Sequence, residues 1–403
     1  MKSKILILVL FVGAALAIFL FNRRGTNLAS APNVTASAEP LPGASTAPAA
    51  PKEVTELPFV YSTEKKEWVE AAVAEFSSAH PEIKVVPIGK GSLEASDGIL
   101  DGSLKPVLWS PADSLVLKLF AGDWLTKNGQ AAFGEGDDAP EPVLLSPLVF
   151  VAWEDRARAL ESFGGGTITW KTIHKAVSSN QGWPTVKGKA EWGFVKLGHT
   201  DPTRSNSGMQ ALVLIALEYF GRNTGSELHV EDVLKPDFQK FLRELESGGT
   251  RFENSTGTFM TDMVRFGPSK YDLAVVYESS AISQLANAQG RWGNLRVYYP
   301  KLTLWSDHPL GVLHAPWVTD AQRSAAKQFV AFLHSKSVQE RALRFGFRPA
   351  ETSVPLKTAD AQNPFTRLAE FGVQTTVPSV AEPPDAAVIR NLLALWTRLQ
   401  QAQ

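Results

Sequence analysis

The stretch GFVKLGHTDPTRSNSGMQALVLIALEYF, residues 193–220, decides the fold class. Its opening residues, Gly193 to Leu197, read as a strand. Met209, Leu212, Val213, Ala216, Leu217 and Phe220 then recur at helical spacing and form one apolar stripe. Between strand and helix, the run from His199 to Gly208 gathers Ser205, Asn206 and Ser207 at a helix start. The first backbone N–H groups of a helix have no intrahelical partner, so this turn can receive a polar or anionic group, or can simply cap the helix. A strand that enters a helix through such a turn is the building unit of an open α/β sheet, in which ligands bind at the carboxyl ends of strands.

The same pattern extends outward in both directions. Toward the N-terminus, PFVYS reads as a strand leading into a helix with Val69, Ala72, Val73 and Phe76 on one face, followed by the strand IKVVPI. Gly91-Ser92 opens a short helix, Pro106 to Trp109 is a strand, and Ser110-Pro111 starts another helix, with proline in its first turn. Toward the C-terminus, Leu234, Phe238, Phe241, Leu242 and Leu245 mark a helix. Tyr271 to Tyr277 is a strand feeding a helix from Glu278, and Leu295 to Tyr299 is a strand. Two later helices carry Ala326, Phe329, Val330 and Leu333, and Ile389, Leu392, Leu393, Trp396 and Leu399. Ser62, Gly91-Ser92, Ser110 and Tyr277-Glu278 thus occupy the same kind of turn as Ser205 to Ser207. Such turns spread over two α/β halves describe a cleft between lobes.

Composition narrows the function. The 403 residues carry 40 Lys+Arg against 41 Asp+Glu, so no basic field points to nucleic acid. The absence of cysteine removes disulfides, thiolate metal sites, cysteine nucleophiles and a lipoprotein anchor. Ile5 to Phe21 is an unbroken apolar run flanked by Lys2, Lys4, Arg23 and Arg24. At roughly 25 Å as a helix it suits a signal anchor or a long signal peptide, and either implies export. Without those four cations the formal charge falls from −1 to −5, so the body is mildly acidic. Residues 26–56, rich in Ala, Pro, Ser and Thr, read as a disordered tether, and the folded body is expected from Leu57.

Motifs of catalysis are missing. The seven histidines show no paired ligand spacing, and neither GxGxxG nor a Walker-type GxxxxGK occurs. Ser62-Thr63-Glu64-Lys65 fits the SxxK pattern of penicillin-recognising enzymes, but no KTG or SDN accompanies it, and Ser62 reads as a helix N-cap. Asp201-Pro202-Thr203-Arg204-Ser205 is close to the D-x-S-x-S metal motif of von Willebrand type A domains, with Thr in place of the first Ser. No metal and no cofactor is expected, and the chain is not read as an enzyme.

Five spaced stretches carry a resemblance: 89–114, 192–212, 271–279, 298–313 and 339–350. Over most of its folded length the chain resembles bacterial extracellular solute-binding proteins of the type II periplasmic-binding fold, in the branch associated with von Willebrand type A domain proteins. The resemblance implies two lobes, each a mainly parallel sheet flanked by helices, with the ligand cleft between them. Lobe 1 would comprise residues 57–151 and 307–403 and lobe 2 residues 152–306, with crossings near Phe150 to Glu154 and Leu302 to His308. It implies ligand contacts from Ser62, Gly91, Ser92, Ser110, Ser205, Asn206, Ser207 and Tyr277. Glu278 is counted with them as a ligand-binding candidate, although its carboxylate would repel an oxyanion unless it points into its own lobe. The implied function is capture of a small polar solute, an oxyanion being one candidate, for an ABC-type importer with a membrane permease as partner. The alternative is a non-transport envelope module working with a separate von Willebrand type A domain protein. An enzyme on this fold ranks last, since its best-known chemistry, tetrapyrrole assembly, attaches a cofactor through cysteine.

Overall fold

The computed structural model describes residues 54–249 and 252–401. The expected signal or anchor, residues 1–25, and nearly all of the expected tether lie outside the described residues. Among those described, no helix is long and apolar enough to cross a membrane.

Three strand-to-helix units open the fold. β1 (Thr55–Ser62) passes through a 3-10 turn into α1 (Lys66–Ala79), β2 (Ile83–Lys90) leads to α2 (Ser92–Asp101), and β3 (Leu108–Ser110) to α3 (Ser114–Asn128). β1 runs parallel to both β2 and β3. Trp68, Val69, Ala72 and Phe76 form the buried face of α1, packed over the sheet. α3 starts at Ser114 rather than at Ser110-Pro111, because the Asp113 carboxylate accepts from the Leu115 N–H at 2.6 Å and caps the helix there.

β4 (Glu141–Pro142) belongs to this first sheet, and the chain then crosses into β5 (Leu144–Trp153). β5 is apolar and buried along nearly its whole length, as a strand covered on both faces must be. α4 (Glu154–Phe163), α5 (Trp170–Val177), β6 (Leu197–Gly198) and α6 (Asn206–Phe220) follow. Asn206 to Leu217 is buried without interruption, so α6 is a central helix rather than a surface one. Then come α7 (Val230–Val233), α8 (Pro236–Glu246), α9 (Thr256–Phe266), β7 (Leu273–Tyr277), α10 (Glu278–Ala288) and β8 (Leu295–Tyr298). After β9 (Trp305–Ser306) the chain returns to the first sheet as β10 (Pro309–Val312), which α11 (Asp320–Leu333) and α12 (Lys336–Ala342) follow. β11 (Arg348–Pro349), α13 (Pro364–Arg367) and α14 (Ala386–Gln401) complete the described chain.

The strand order is β2-β1-β3-β10-β4 in one sheet and β11-β5-β7-β6 in the other, with β8 and β9 also on β5. Each sheet with its helices forms one lobe of a two-lobe α/β fold. The parallel pairs are β1–β2, β1–β3 and β6–β7, whereas β5 is antiparallel to every partner, so the second sheet is mixed rather than mainly parallel.

Two features differ from the sequence expectation. Phe150 pairs with Val275 and Tyr298 in the middle of the second sheet, so the outward crossing lies at Val143, between β4 and β5. The tail does not return wholly to the first lobe: β11 pairs with β5, and α14 packs on α6 and α7 of the second. Its Trp396 indole donates to the buried Glu246 carboxylate at 3.0 Å, an anchor no helical stripe could reveal. The return crossing runs through Asp307 and His308. His308 has φ +41°, a strained value for a non-glycine residue, fixed by bonds from its N–H to Ala112 O (3.1 Å) and from the Val143 N–H to its carbonyl (3.3 Å).

Candidate functional site

The lobes meet over an inner region of buried polar groups. Lys65, which follows β1, is wholly buried, and its ammonium donates to Ser110 O (2.8 Å), Ser110 Oγ (2.8 Å) and Pro111 O (2.9 Å). Burial pushes this lysine down to about 7, against the pull of Glu64 and Asp307. Glu64 accepts from the Ser62 hydroxyl and lies 3.3 Å from His308 Nδ1, within ion-pair reach but outside hydrogen-bond geometry. Burial alone would raise Glu64, but His308, Lys65 and Ser62 outweigh it and hold the carboxyl below its ordinary value. Burial, then the charge of Lys65, lowers His308 despite Glu64.

Asp113 forms one of the bonds between lobes. While capping α3 of the first lobe, it accepts from Gln210 Nε2 on α6 of the second, and the same amide reaches Trp305 O at 2.9 Å. Burial and then Asp307 push the Asp113 carboxyl up to about 7, although the Leu115 amide, Gln210 and Asn206 act the other way. Asn206 Nδ2 donates to the Tyr277 hydroxyl at 3.0 Å; burial, then Glu64, raises that phenol well above its ordinary value. Asn206 Oδ1, Gln210 Oε1 and both ring nitrogens of His308 are buried without a hydrogen-bond partner.

The expected contact residues fall in or beside this region, and most of their hydroxyls are engaged internally. Ser62 serves Glu64 rather than capping the following turn. Ser92 Oγ accepts from the Ala112 N–H at 3.0 Å, and Ser110 Oγ holds Lys65. Ser207 Oγ joins Thr200 Oγ1 and Thr256 Oγ1, each at 2.7 Å, with Ser205 Oγ at 3.4 Å, tying the loop after β6 to the start of α9. Gly91 lies where the lobes touch: a Cβ there would stand 3.0 Å from the Arg204 carbonyl oxygen. Glu278 points into its own lobe, where Arg348 holds it through Nε–Oε2 (2.7 Å) and Nη2–Oε1 (2.8 Å) and the Tyr299 hydroxyl donates to it. It is therefore a structural carboxylate, not a ligand contact, and it does not face the cleft as a repelling charge. Asp201 closes a local turn by accepting from the Thr203 N–H (2.8 Å) and hydroxyl (2.6 Å), and no metal-ligand cluster occurs among the described residues.

Free space lies just outside this inner region. A cavity of about 420 Å³ opens between the lobes, with Thr63, Glu64 and Trp68 on the first side and Ser255, Thr258 and Ser280 on the second. Glu64 belongs to both zones. Glu64, Lys65, Asp113, Gln210 and His308 were not singled out as site residues from sequence. Gln210 had the best signal, since it follows Asn206 by four residues and shares its helix face.

A family model described as bacterial extracellular solute-binding protein matches residues 57–348. No curated protein matches the chain. Among solved structures, the sulfate-binding protein SubI from Mycobacterium tuberculosis H37Rv is similar at 15% identity and a TM-score of 0.54, covering 87% of this chain and 99% of its own. The periplasmic binding protein AfuA from Actinobacillus pleuropneumoniae, with fructose-6-phosphate bound, gives 14% and 0.54, covering 86% and 97%. Iron-bound HitA from Pseudomonas aeruginosa gives 15% and 0.53, covering 86% and 99%. Sulfate, a sugar phosphate and iron share this architecture, so the likeness carries the fold and not the solute. With the family model spanning most of the two-lobe body, the chain belongs to the bacterial extracellular solute-binding protein family.

Proposed function

We propose that the chain is an exported binding protein that captures a small polar solute between its lobes and hands it to an ABC-type importer. The observation carrying this reading is the 420 Å³ cavity walled by both lobes, whose lining includes Trp68 and Ser280 with the buried Nε1 and Oγ atoms unpartnered. A pocket of that size with a few converging polar groups is what a small-molecule site requires. An oxyanion is the weaker solute candidate, because the ionised Glu64 borders the cavity, the Ser62 hydroxyl already donates to it, and Ser92, Ser110 and Ser207, each bonded within the protein, are not among the residues lining the cavity. Calorimetric titration of the full chain with sulfate, molybdate, sugars and amino acids tests the reading. Saturable binding of one class supports it, and no heat from any class overturns it.

The internal engagement of those same hydroxyls favours a second reading, a non-transport envelope module that keeps the fold and partners a separate von Willebrand type A domain protein. Silence across the solute panel, together with co-purification of such a partner from membranes, is its expected result.

A further inference from the structure

The cavity between the lobes carries its own chemical instructions. Two of its lining side chains are almost wholly buried and hold polar atoms with no partner: Trp68 Nε1, at 2% residue exposure, and Ser280 Oγ, at 5%. The indole N–H can only donate, so whatever satisfies Trp68 must offer an acceptor. The neighbouring hydroxyls have the opposite need. Ser255 donates to Thr258 Oγ1 at 2.9 Å, Thr261 to Gly257 O at 3.1 Å and Ser283 to Ser280 O at 3.0 Å, which leaves their lone pairs toward any donor.

Charge removes most alternatives. Glu64 and Glu67 line the cavity against one cation, Lys66, whose ammonium is largely exposed and 3.9 Å from Glu70. A dianion would meet two carboxylates with little compensation, and an ammonium would leave the Trp68 N–H without an acceptor. Hydroxyl groups both donate and accept at no net charge. Phe345 and Phe347 add an apolar wall of the kind that packs against the C–H face of a ring.

We propose that the solute is a neutral polyhydroxylated molecule the size of a mono- or disaccharide, held by Trp68, Ser280 and Glu64 in the cavity between the lobes. This rests on the solute-binding reading above and names its solute class. A volume of 420 Å³ accommodates one or two pyranose rings and is generous for a tetrahedral oxyanion.

The test is isothermal titration calorimetry on the full chain with D-glucose, maltose and myo-inositol, and with sulfate and molybdate as contrast arms. Saturable binding in at least one neutral arm is expected. Ser280→Ala and Trp68→Phe should each weaken it about five- to tenfold, and the pair should act more strongly than either. Both replacements preserve most of the side-chain volume, and thermal melts confirm folding. Binding of sulfate or molybdate with silence in the neutral arms overturns the solute class while leaving solute binding intact. Neutral binding unchanged in the Ser280→Ala, Trp68→Phe double variant overturns the location, and silence in every arm overturns both readings.

Discussion

Replacing Asp113 by Asn probes a bond that joins the lobes. Asparagine keeps the side-chain size and an oxygen for the Leu115 N–H at 2.6 Å, but it cannot titrate. In the folded protein burial and Asp307 push the Asp113 carboxyl up to about 7, from an ordinary 3.8. The native state therefore holds a proton that the unfolded chain releases between those values, and raising the pH favours unfolding. The contribution is fully present below the unfolded pKa and is lost as pH climbs through the folded one. At 1.36 kcal/mol per pKa unit, it amounts to about 3 kcal/mol between pH 4.5 and 7.5. Lys65, shifted down to about 7, acts in the opposite sense, but its stability gain comes as pH rises above 7 toward 10.5 and lies largely outside this window. Urea unfolding at both pH values, on wild type and Asp113→Asn, should show the wild-type advantage shrinking by about 3 kcal/mol as pH rises. Parallel pH dependences, with unchanged denaturant slopes, would refute the reasoning.

Two further perturbations follow from named contacts. Arg348→Met strands the Glu278 carboxylate, which is 0% exposed, and should cost about 3–5 kcal/mol in urea unfolding, with partial recovery in the Glu278→Gln, Arg348→Met double variant; a change under about 0.5 kcal/mol would contradict it. Gly91→Val places a branched side chain where a Cβ alone would sit 3.0 Å from the Arg204 oxygen, so small-angle scattering should show an enlarged radius of gyration from separated lobes, and an unchanged curve would speak against contact-limited closure.

Local pattern carried much of the fold. The stripe on α6, the strand ending at Tyr277 and the helix from Glu278 to Ala288 depend on periodicity and turn chemistry, which are properties of neighbouring residues. The mixed second sheet was not legible, because β5 is apolar along nearly its whole length and such a run says nothing about the direction of its partners. At the site, residue types at the turns were readable but side-chain direction was not. Glu278 occupies the same kind of turn as Ser110, yet it turns inward because Arg348, 70 residues away, supplies a bidentate partner. Lys65 was set aside with the SxxK pattern for want of KTG or SDN, and what permits its burial is a set of carbonyls at the β3 turn.

The connection from Trp396 through Glu246 to His199 bears on the order of synthesis. His199 Nε2 lies 3.1 Å from Glu246 Oε2, and its neighbour Thr200 bonds Ser207 at the head of α6. A helix whose Trp396 is made 150 residues later thus completes the surroundings of a carboxylate already translated. Until α14 emerges, the nascent second lobe must carry that charge without its indole partner. A ribosome stalled before Ala386 should therefore display a body that proteases can enter at the loop after β6, and one released later should not.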